Sequence, residues 1–150
     1  MDISYIIGTF LRVGAGLCNT LKLFFITILA SLPLGFLITL LMRSSIPPLR
    51  WISKVFVYLM RSTPLVLQLL FIYFGLPYLP YVGEWFATLG RFTATIWGFV
   101  LNYAAYFAEI FRGGLLAVDP GQYEAAKVLG LSRRQIILRV VAPQMLRVAM

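Results

Sequence analysis

The side chains in this sequence that could bind a polar molecule lie at helical spacing within an apolar stretch. Thr95, Asn102, Tyr106 and Glu109 are separated by seven, four and three residues, which at about 100° per residue places them within about a 60° arc of one helix. Because polar groups are costly in lipid, this face should meet protein or a wet cavity. Two interpretations stay open, a path for a polar solute and hydrogen bonds between helices. For Glu109, an ordinary ion pair with Arg112 is the plainer interpretation.

A further polar side chain, Gln68, lies deep in another uncharged run, where Arg61, Gln68 and Gly75 recur every seven residues. It could hydrogen-bond a solute or, more commonly, a neighbouring helix. Pro64 can kink the same helix, either as a hinge or as part of rigid packing. The candidate path residues are therefore Gln68, Thr95, Asn102, Tyr106 and Glu109.

The residue sets of common catalytic and metal centres are missing from the sequence. It has no His and a single Cys, Cys18, which removes the commonest general base and metal ligand and any intramolecular disulfide. No GxxxxGK[ST] phosphate-binding loop precedes a Lys. Glu84, Glu109 and Glu124 are not a spaced acid–base pair. We therefore predict a protein that is not an enzyme, with no catalytic residue, metal site or cofactor, and a membrane enzyme is the least favoured alternative.

Composition indicates a membrane protein. Of 150 residues, 61% are hydrophobic and 12% are charged, whereas soluble proteins carry about 25% charged residues. Thirteen Lys and Arg against five Asp and Glu give a net charge of +8. These charges are better explained as membrane loop anchors than as a nucleic-acid site. We expect an all-α membrane protein, one domain over 1–150, that contacts membrane lipid and binds no nucleic acid.

Uncharged runs predict the membrane-spanning helices. The first run lies between Lys22 and Arg43 and has twenty residues, which at about 1.5 Å per residue match about 30 Å of bilayer core. Within it, Ser31 and Gly35 are either a small-residue helix contact or a chance pair. The predicted spans are about 19–42, 54–76 and 91–112.

Both ends of the chain carry further predicted helices. Apolar residues recur at helical spacing before the first span, at Ile3, Ile6, Ile7, Phe10 and Leu11. This spacing predicts an interfacial helix over about 3–16. A fourth span is predicted to begin at about 144–150, so we expect the helix bundle to be incomplete at its C-terminus.

The basic residues predict an orientation. Arg43, Arg50 and Lys54 follow the first span, Arg91 alone follows the second, and six basic residues follow the third. Because Lys and Arg favour cytoplasmic loops, the first and third linkers should be cytoplasmic. The N-terminus of this multi-pass protein should then lie outside the bacterial plasma membrane.

The segment 119–143 begins with signals for a short helix and a stop. Asp119 suits the N-cap and Pro120 the first helical position, and Gln122 is placed to complete a capping box. Gly130 suits the left-handed residue past the end of this helix. We therefore expect a short helix over about 120–129.

A second short helix should follow at once. Ser132 and Gln135 have the spacing of a capping box, and Leu131 and Ile136 occupy the positions of a hydrophobic staple. The helix should end or kink at Pro143. The sequence thus predicts two short cytoplasmic helices joined by a rigid corner.

The small residues Ala125 and Ala126, between Glu124 and Lys127, would let another surface approach this corner closely. Two interpretations follow from the residues alone. The corner is a mechanical handle for a partner protein, or it is a basic juxtamembrane helix that lies on anionic lipid.

The sequence of this corner resembles the EAA motif, EAA-x3-G-x9-I-x-L-P, of the permease subunits of ABC importers. The matching positions are Glu124, Ala125, Ala126, Gly130 and Pro143, whereas Val140 replaces the usual Ile and Ala142 the usual Leu. Longer segments resemble the polar amino-acid branch of that family (His, Glu, Gln and Arg uptake). These are "RSTPLVLQLLFIYFGLP" from Arg61 to Pro77, "AYFAEIFRGGLLAVDPGQYEAAKVLGLS" from Ala105 to Ser132, and the short "TLKL" from Thr20 to Leu23.

The resemblance implies a type I ABC-importer-like transmembrane helix bundle with a cytoplasmic coupling helix. It implies a transport subunit that pairs with a second permease, identical or paralogous. It also implies two separate ABC ATPase subunits that receive the EAA helix, and an extracytoplasmic amino-acid-binding protein that delivers the solute. Glu124, Ala125, Ala126, Gly130 and Pro143 would then be ATPase-coupling residues. The alternative is a non-transporting membrane anchor or an inactive permease fragment, which an uptake assay in liposomes separates from a transporter.

Overall fold

Helices account for every regular element in residues 3–81 and 83–149, the part of the chain that this computed structural model describes. The α-helices are α1 (Ile3–Met42), α2 (Pro47–Ser62), α3 (Leu65–Leu70), α4 (Gly83–Ala87), α5 (Arg91–Leu116), α6 (Pro120–Val128), α7 (Arg133–Gln135) and α8 (Ala142–Ala149). Two π-helical turns, Phe71–Gly75 and Ile136–Val141, and a 3₁₀ turn, Leu76–Tyr78, connect some of them. The predicted all-α class is confirmed.

Helix α5 lies at the centre of the fold, because α1, α2, α3 and α8 all pack against it. The contact with α1 is very close at Gly35, where an added Cβ would come within 2.7 Å of Phe107 Cβ and 2.9 Å of the Ala104 carbonyl oxygen. One turn later, Thr39 Oγ1 donates to the Ala108 carbonyl at 2.9 Å. Ser31 is fully buried on the same face. The small pair at Ser31 and Gly35 is therefore a helix contact, one of the two alternatives left open by the sequence.

The predicted boundary between an interfacial helix over about 3–16 and a span from about 19 is wrong. Helix α1 is continuous from Ile3 to Met42. No Pro lies between the two segments, and isolated glycines such as Gly14 and Gly16 lower helix stability without ending a helix. The side chains of Ile3, Ile6, Ile7 and Leu11, on which the interfacial face was predicted, lie outside the described residues, as does Met150 at the end of the predicted fourth span.

The predicted single helix over about 54–76 is also wrong. Helix α2 begins earlier, at Pro47, and ends at Ser62, and the direction of the chain changes by 109° before Leu65–Tyr78. The break lies at Pro64, which has no N–H with which to continue the α-helical hydrogen bonds. The second uncharged run is therefore a bent pair of helices.

By length and composition, one described helix can cross a bilayer by itself, namely α1 over Gly8–Met42. The bent pair Pro47–Ser62 and Leu65–Tyr78 meets the same criterion if the two helices count as one span. Helix α5 has 26 residues and begins at Arg91, as predicted. Because Asn102, Glu109 and Arg112 lower its apolar character, its membrane crossing stays a prediction.

Candidate coupling and translocation sites

The first helix of the predicted corner is capped at its start. Asp119 is the N-cap of α6, and its Oδ1 accepts a hydrogen bond from the Gly121 N–H at 2.6 Å. Gln122 was predicted to reach back to Asp119 as well. Instead, its Oε1 accepts a hydrogen bond from Gln144 Nε2 at 3.4 Å, which links α6 to α8. One member of the predicted capping box therefore serves a tertiary contact.

The corner itself has the geometry that its residues predict. Gly130 has φ of +73°, in the left-handed region. Its N–H donates to the Lys127 carbonyl at 2.9 Å, and the Leu131 N–H donates to the Ala126 carbonyl at 3.1 Å. This pair of bonds is the Schellman arrangement, which satisfies the last carbonyls of a helix. The chain thus turns sharply with its backbone groups paired.

The second helix starts with the predicted capping box. The Ser132 N–H donates to Gln135 Oε1 at 2.8 Å, and the Gln135 N–H donates to Ser132 Oγ at 3.4 Å. The chain then passes through the π turn Ile136–Val141 into α8. The predicted end at Pro143 is therefore replaced by a change from π to α geometry, with Pro143 in the first turn of α8.

The two short helices enclose a small hydrophobic core. Val118, Ala126, Ile136 and Val141 are buried together, and the partly buried Leu131 packs against them. The staple residues Leu131 and Ile136 thus belong to one cluster, as predicted. We call residues 119–141 with this core the coupling hairpin, after the role that the resemblance implies for it.

The two alanines of the EAA sequence have opposite environments. Ala126 is only 3% exposed because it belongs to the core of the hairpin, whereas Ala125 and the neighbouring Glu124 are exposed. At the tip, Val128 and Leu129 are 88% and 78% exposed. An outward surface made of a carboxylate, a small side chain and two bare aliphatic side chains suits contact with another protein.

The predicted path residues Gln68 and Asn102 meet at the break between α2 and α3. Gln68 Nε2 donates to the Met60 carbonyl at 2.9 Å, and Asn102 Nδ2 donates to the same oxygen at 3.1 Å. Asn102 Nδ2 also donates to Gln68 Oε1 at 3.0 Å. An α-helix would have satisfied the Met60 carbonyl with the N–H of residue 64, which is Pro64. The two amides, here called the amide pair, therefore replace the bond that proline cannot make.

The remaining path residues divide into two groups. Tyr106 lies under the Arg61 guanidinium, whose Cζ is 5.6 Å from the ring centre. Glu109 accepts from Arg112 Nε at 2.9 Å and lies 3.8 Å from Arg61 Nη1. The predicted Glu109–Arg112 pair is thus present.

Thr95 lies apart from both groups, and its Oγ1 donates to the Arg91 carbonyl at 2.8 Å within α5. It lines a separate cavity of about 650 Å³ with Tyr73 and Arg91. Asn102, Tyr106 and Glu109 of the polar face contact the α2 end of the bent pair, and Thr95 shares its cavity with residues of α3.

A cavity of about 370 Å³ lies beside the amide pair, where Thr63 and Gln68 supply its polar lining and Met60, Phe71 and Leu101 part of its apolar wall. Its size suits a small organic molecule. Gln68 also donates to Thr63 Oγ1 at 2.7 Å. The polar groups of this cavity are therefore held in position from within the chain.

Comparison with known proteins decides the family. Residues 31–150 match the model of the binding-protein-dependent transport system inner membrane component. The chain belongs to this family. The predicted relationship to the permeases of amino-acid ABC importers is confirmed, because the matched relatives are permease proteins.

Individual relatives of this permease cover almost all of its sequence. It is 38% identical to the Probable amino-acid ABC transporter permease protein YckA of Bacillus subtilis, over 96% of this chain and 61% of YckA. It is 37% identical to the arginine transport system permease protein ArtQ of the same organism, over 96% of this chain and 64% of ArtQ. The permease thus spans less than two thirds of the length of these relatives.

A solved structure gives the same result for the fold. The crystal structure of an amino acid ABC transporter with histidines contains a chain that superposes on this permease with a TM-score of 0.82 at 34% identity. The match covers 99% of this permease and 67% of that chain. The predicted ABC-importer-like helical fold is therefore confirmed for this part of the bundle.

Two features of this permease were missed by reasoning from sequence. The exposure of Val128 could have been inferred, because this residue lies about 160° around α6 from Ala126, which the core requires. The exposure of Leu129 could not, because a residue three positions after Ala126 lies on the same side of a helix. The convergence on the Met60 carbonyl had only a partial signal, namely a proline at position 64 and an amide four residues later. The sequence did not indicate which residue of α5 would supply the second hydrogen bond to the Met60 carbonyl, because that depends on how α2 and α5 pack.

Proposed function

We propose that this permease is the membrane-spanning subunit of an ATP-driven importer of polar amino acids, and that the coupling hairpin connects it to a separate ABC ATPase. The exposed face of the hairpin carries this proposal. Glu124, Ala125, Val128 and Leu129 are exposed on one unit whose corner is hydrogen-bonded internally and whose helices are capped by Asp119 and Ser132. A rigid projection with an apolar tip is suited to a groove of a partner protein.

The five residues of the EAA motif have different roles in this proposal. Glu124 and Ala125 contact the ATPase directly, and the exposed Val128 and Leu129 extend that contact. Ala126 packs in the interior, Gly130 permits the corner, and Pro143 allows the change from π to α geometry at the start of α8. The residues of the motif are thus mechanical, and none of them is a catalyst.

The hairpin core also explains how motion would reach the bilayer. Leu115 of α5 packs against the hairpin core, and α8 packs against α5 with Met145 beside Gly114. Displacement of the hairpin therefore acts on α5, the helix on which the other long helices pack. The motion of the ATPase would be transmitted by packed side chains instead of by a flexible linker.

The amide pair and its cavity are the proposed part of the translocation path. An amino acid offers a carboxylate and an ammonium group, and these need fixed donors and acceptors. Gln68 lines a cavity of about 370 Å³ and is hydrogen-bonded to Asn102, so a solute would bind there by replacing some of the present hydrogen bonds of the amide pair. Tyr106 and Glu109 lie one and two turns further along α5, and Thr95 lies two turns before Asn102.

The relatives support the solute class. ArtQ is an arginine transport permease, and another relative, 32% identical over 91% of this chain, is the L-cystine transport system permease protein TcyB of Bacillus subtilis. We propose that the N-terminus lies outside a multi-pass bundle in the bacterial inner membrane. There, the permease pairs with a second permease and receives its solute from an extracytoplasmic binding protein.

Reconstitution in liposomes tests the proposal. The 150-residue chain is combined with a cognate ATPase and binding protein, and ATP-dependent uptake of labelled arginine, histidine, glutamine and glutamate is measured. Ala125→Trp should abolish uptake because the large ring fills the outward face, whereas Ala87→Trp on α4, also exposed, should leave it intact.

Two outcomes would contradict the proposal. Uptake that survives Ala125→Trp would show that the hairpin face is not the coupling contact. A chain that assembles with its partners without transporting any solute would favour the alternative, a non-transporting membrane anchor.

A further inference from the structure

Helix α2 is divided lengthwise into stripes of different chemistry. At about 100° per residue, Arg50, Lys54 and Arg61 fall within about a 40° arc. All three side chains belong to exposed residues. Ser53 and Val57, which are buried, lie on the side where α2 packs against the rest of the fold.

Next to the basic stripe lie aromatic and then aliphatic side chains. Trp51 and Tyr58 are exposed beside it, and Ile52 and Leu59 are exposed one step further round the helix. This order from basic through aromatic to aliphatic is that of a helix in the interfacial layer of a membrane. There, Lys and Arg meet headgroups, aromatic rings lie at headgroup depth and aliphatic side chains enter the acyl region.

The basic stripe borders a cavity between α2 and α5. Lys54, Tyr58 and Arg61 line it from α2, and Glu109 and Arg112 line it from α5. Its volume is about 330 Å³. Three cationic side chains and one carboxylate therefore line this cavity. Its net charge is positive, so the cavity favours an anionic group.

The single carboxylate does not neutralise this cavity. Glu109 is held through both oxygens by Arg112. Its distance to Arg61 Nη1 is 3.8 Å, which is too long for a hydrogen bond. Among the side chains that the structure describes, the Lys54 ammonium has no hydrogen-bond or ion-pair partner, and the Arg61 guanidinium makes no hydrogen bond. Two cations thus keep their donors available to a ligand.

We propose that this cavity binds the phosphate group of an anionic phospholipid, with α2 lying in the headgroup layer. Lys54 and Arg61 donate to the phosphate, and Arg112 adds positive charge from α5. Tyr58, which lines the cavity and is exposed, and Ile52 and Leu59 on the same helix provide the surface along which the glycerol and acyl chains continue. A free phosphate would use the donors but not this apolar surface, which is why the structure favours a lipid.

Quenching of Trp51 fluorescence tests the assignment in the full chain. Trp85→Phe and Trp97→Phe leave Trp51 on α2 as the reporter. The chain is placed in two sets of phosphatidylcholine nanodiscs. One set contains a small fraction of brominated phosphatidylglycerol, and the other contains the same fraction of brominated phosphatidylcholine. Stronger quenching by the phosphatidylglycerol is expected. Equal quenching by the two lipids would overturn the proposal.

Charge-matched variants locate the site. Lys54→Gln and Arg61→Gln should each lower the preference for phosphatidylglycerol about fivefold. Arg50→Gln, which removes the same charge from the same stripe outside the cavity, should lower it less. Equal losses in all three variants would show a general surface attraction and overturn the cavity assignment. Lys54→Gln carries the test should Arg61→Gln fail to fold, because Lys54 is exposed and unpaired within the described residues.

Added inorganic phosphate distinguishes a lipid headgroup from a free phosphate as the ligand of this cavity. Inorganic phosphate is added to the nanodiscs at constant ionic strength, with chloride as the matched salt. The preference for phosphatidylglycerol should be the same in both salts. If phosphate removed the preference and chloride did not, the cavity would bind free phosphate, and the lipid assignment would be wrong. Neither outcome bears on the coupling hairpin or on the amide pair, which lie outside this cavity.

Discussion

The coupling hairpin and the amide pair solve the same physical problem at different ranges. Both provide partners for backbone groups that a helix leaves unpaired. In the hairpin, the donors and acceptors are two to five residues apart, as in the bonds from Gly121 to Asp119 and from Leu131 to Ala126. In the amide pair, Asn102 reaches the Met60 carbonyl across 42 residues. The hairpin is therefore defined locally, whereas the amide pair exists only once α2 and α5 are packed.

The prolines extend this comparison. Pro77 and Pro143 each follow a π turn, Phe71–Gly75 and Ile136–Val141, and the helical path continues through them. At Pro64 the helix breaks, and the free carbonyl of Met60 is satisfied by side chains. Among these three prolines, the helix breaks only at Pro64. There, side chains from other helices replace the hydrogen bond that proline cannot make.

The largest expected loss of stability comes from the long-range site. Asn102→Leu should lower the free energy of unfolding by about 1–3 kcal/mol, because it removes two hydrogen bonds from a residue that is 5% exposed. Unfolding of the purified chain in mixed detergent micelles measures this. Thr95→Val, on the same helix, should lower the free energy of unfolding by less than about 0.5 kcal/mol. Similar losses for the two variants would remove the distinction between the amide pair and an ordinary polar residue.

A smaller loss is expected at the corner of the hairpin. Gly130→Ala should cost about 1–2 kcal/mol, because φ of +73° is unfavourable for any residue with a Cβ. No other atom lies within 4 Å of the added Cβ, so the backbone alone sets the cost. Gly113→Ala, in the helical and equally open position on α5, should instead stabilise the chain by about 0.5–1 kcal/mol. Thermal unfolding of both variants checks the sign.

The capping box should contribute less still. Ser132→Ala should cost about 1 kcal/mol and speed amide hydrogen exchange at Gln135, since Ser132 Oγ accepts from that N–H. The control is Ser62→Ala, at the end of α2. Exchange in α5 should not change in either variant. A change in α5 with Ser132→Ala would show that the hairpin is not an independently defined local unit.

The smallest effect on stability and a large effect on binding are expected at the tip. Val128→Ser and Leu129→Ser should leave the free energy of unfolding within about 0.5 kcal/mol of the unmodified chain, because both side chains are exposed. Each should weaken binding of a cognate ATPase about fivefold or more if the tip enters a groove. Val148→Ser, also exposed but on α8, is the control. Titration of the labelled ATPase against the chain in nanodiscs measures the difference.

Local signals made the hairpin predictable, and their absence explains the errors elsewhere. Ser132, Gln135 and Gly130 each have a preference that their immediate neighbours complete, so their roles followed from spacing. Gln122 had the spacing of a capping residue as well, yet it bonds Gln144 because α8 returns to α6. The sequence predicts a kink at Pro64, but the size of the break depends on the tertiary packing that brings Asn102 to the Met60 carbonyl.

By itself, the sequence determined the helical class, the positions of the caps, the corner at Gly130 and the likeness to importer permeases. These depend on composition, periodicity and interactions within a few residues. Only the tertiary structure decided that Ala125 faces out while Ala126 is buried, that Gln68 and Asn102 share the Met60 carbonyl, and that Lys54 joins Arg61 and Arg112 around one cavity. Each of these depends on the packing of helices distant in sequence, which spacing along one helix does not specify.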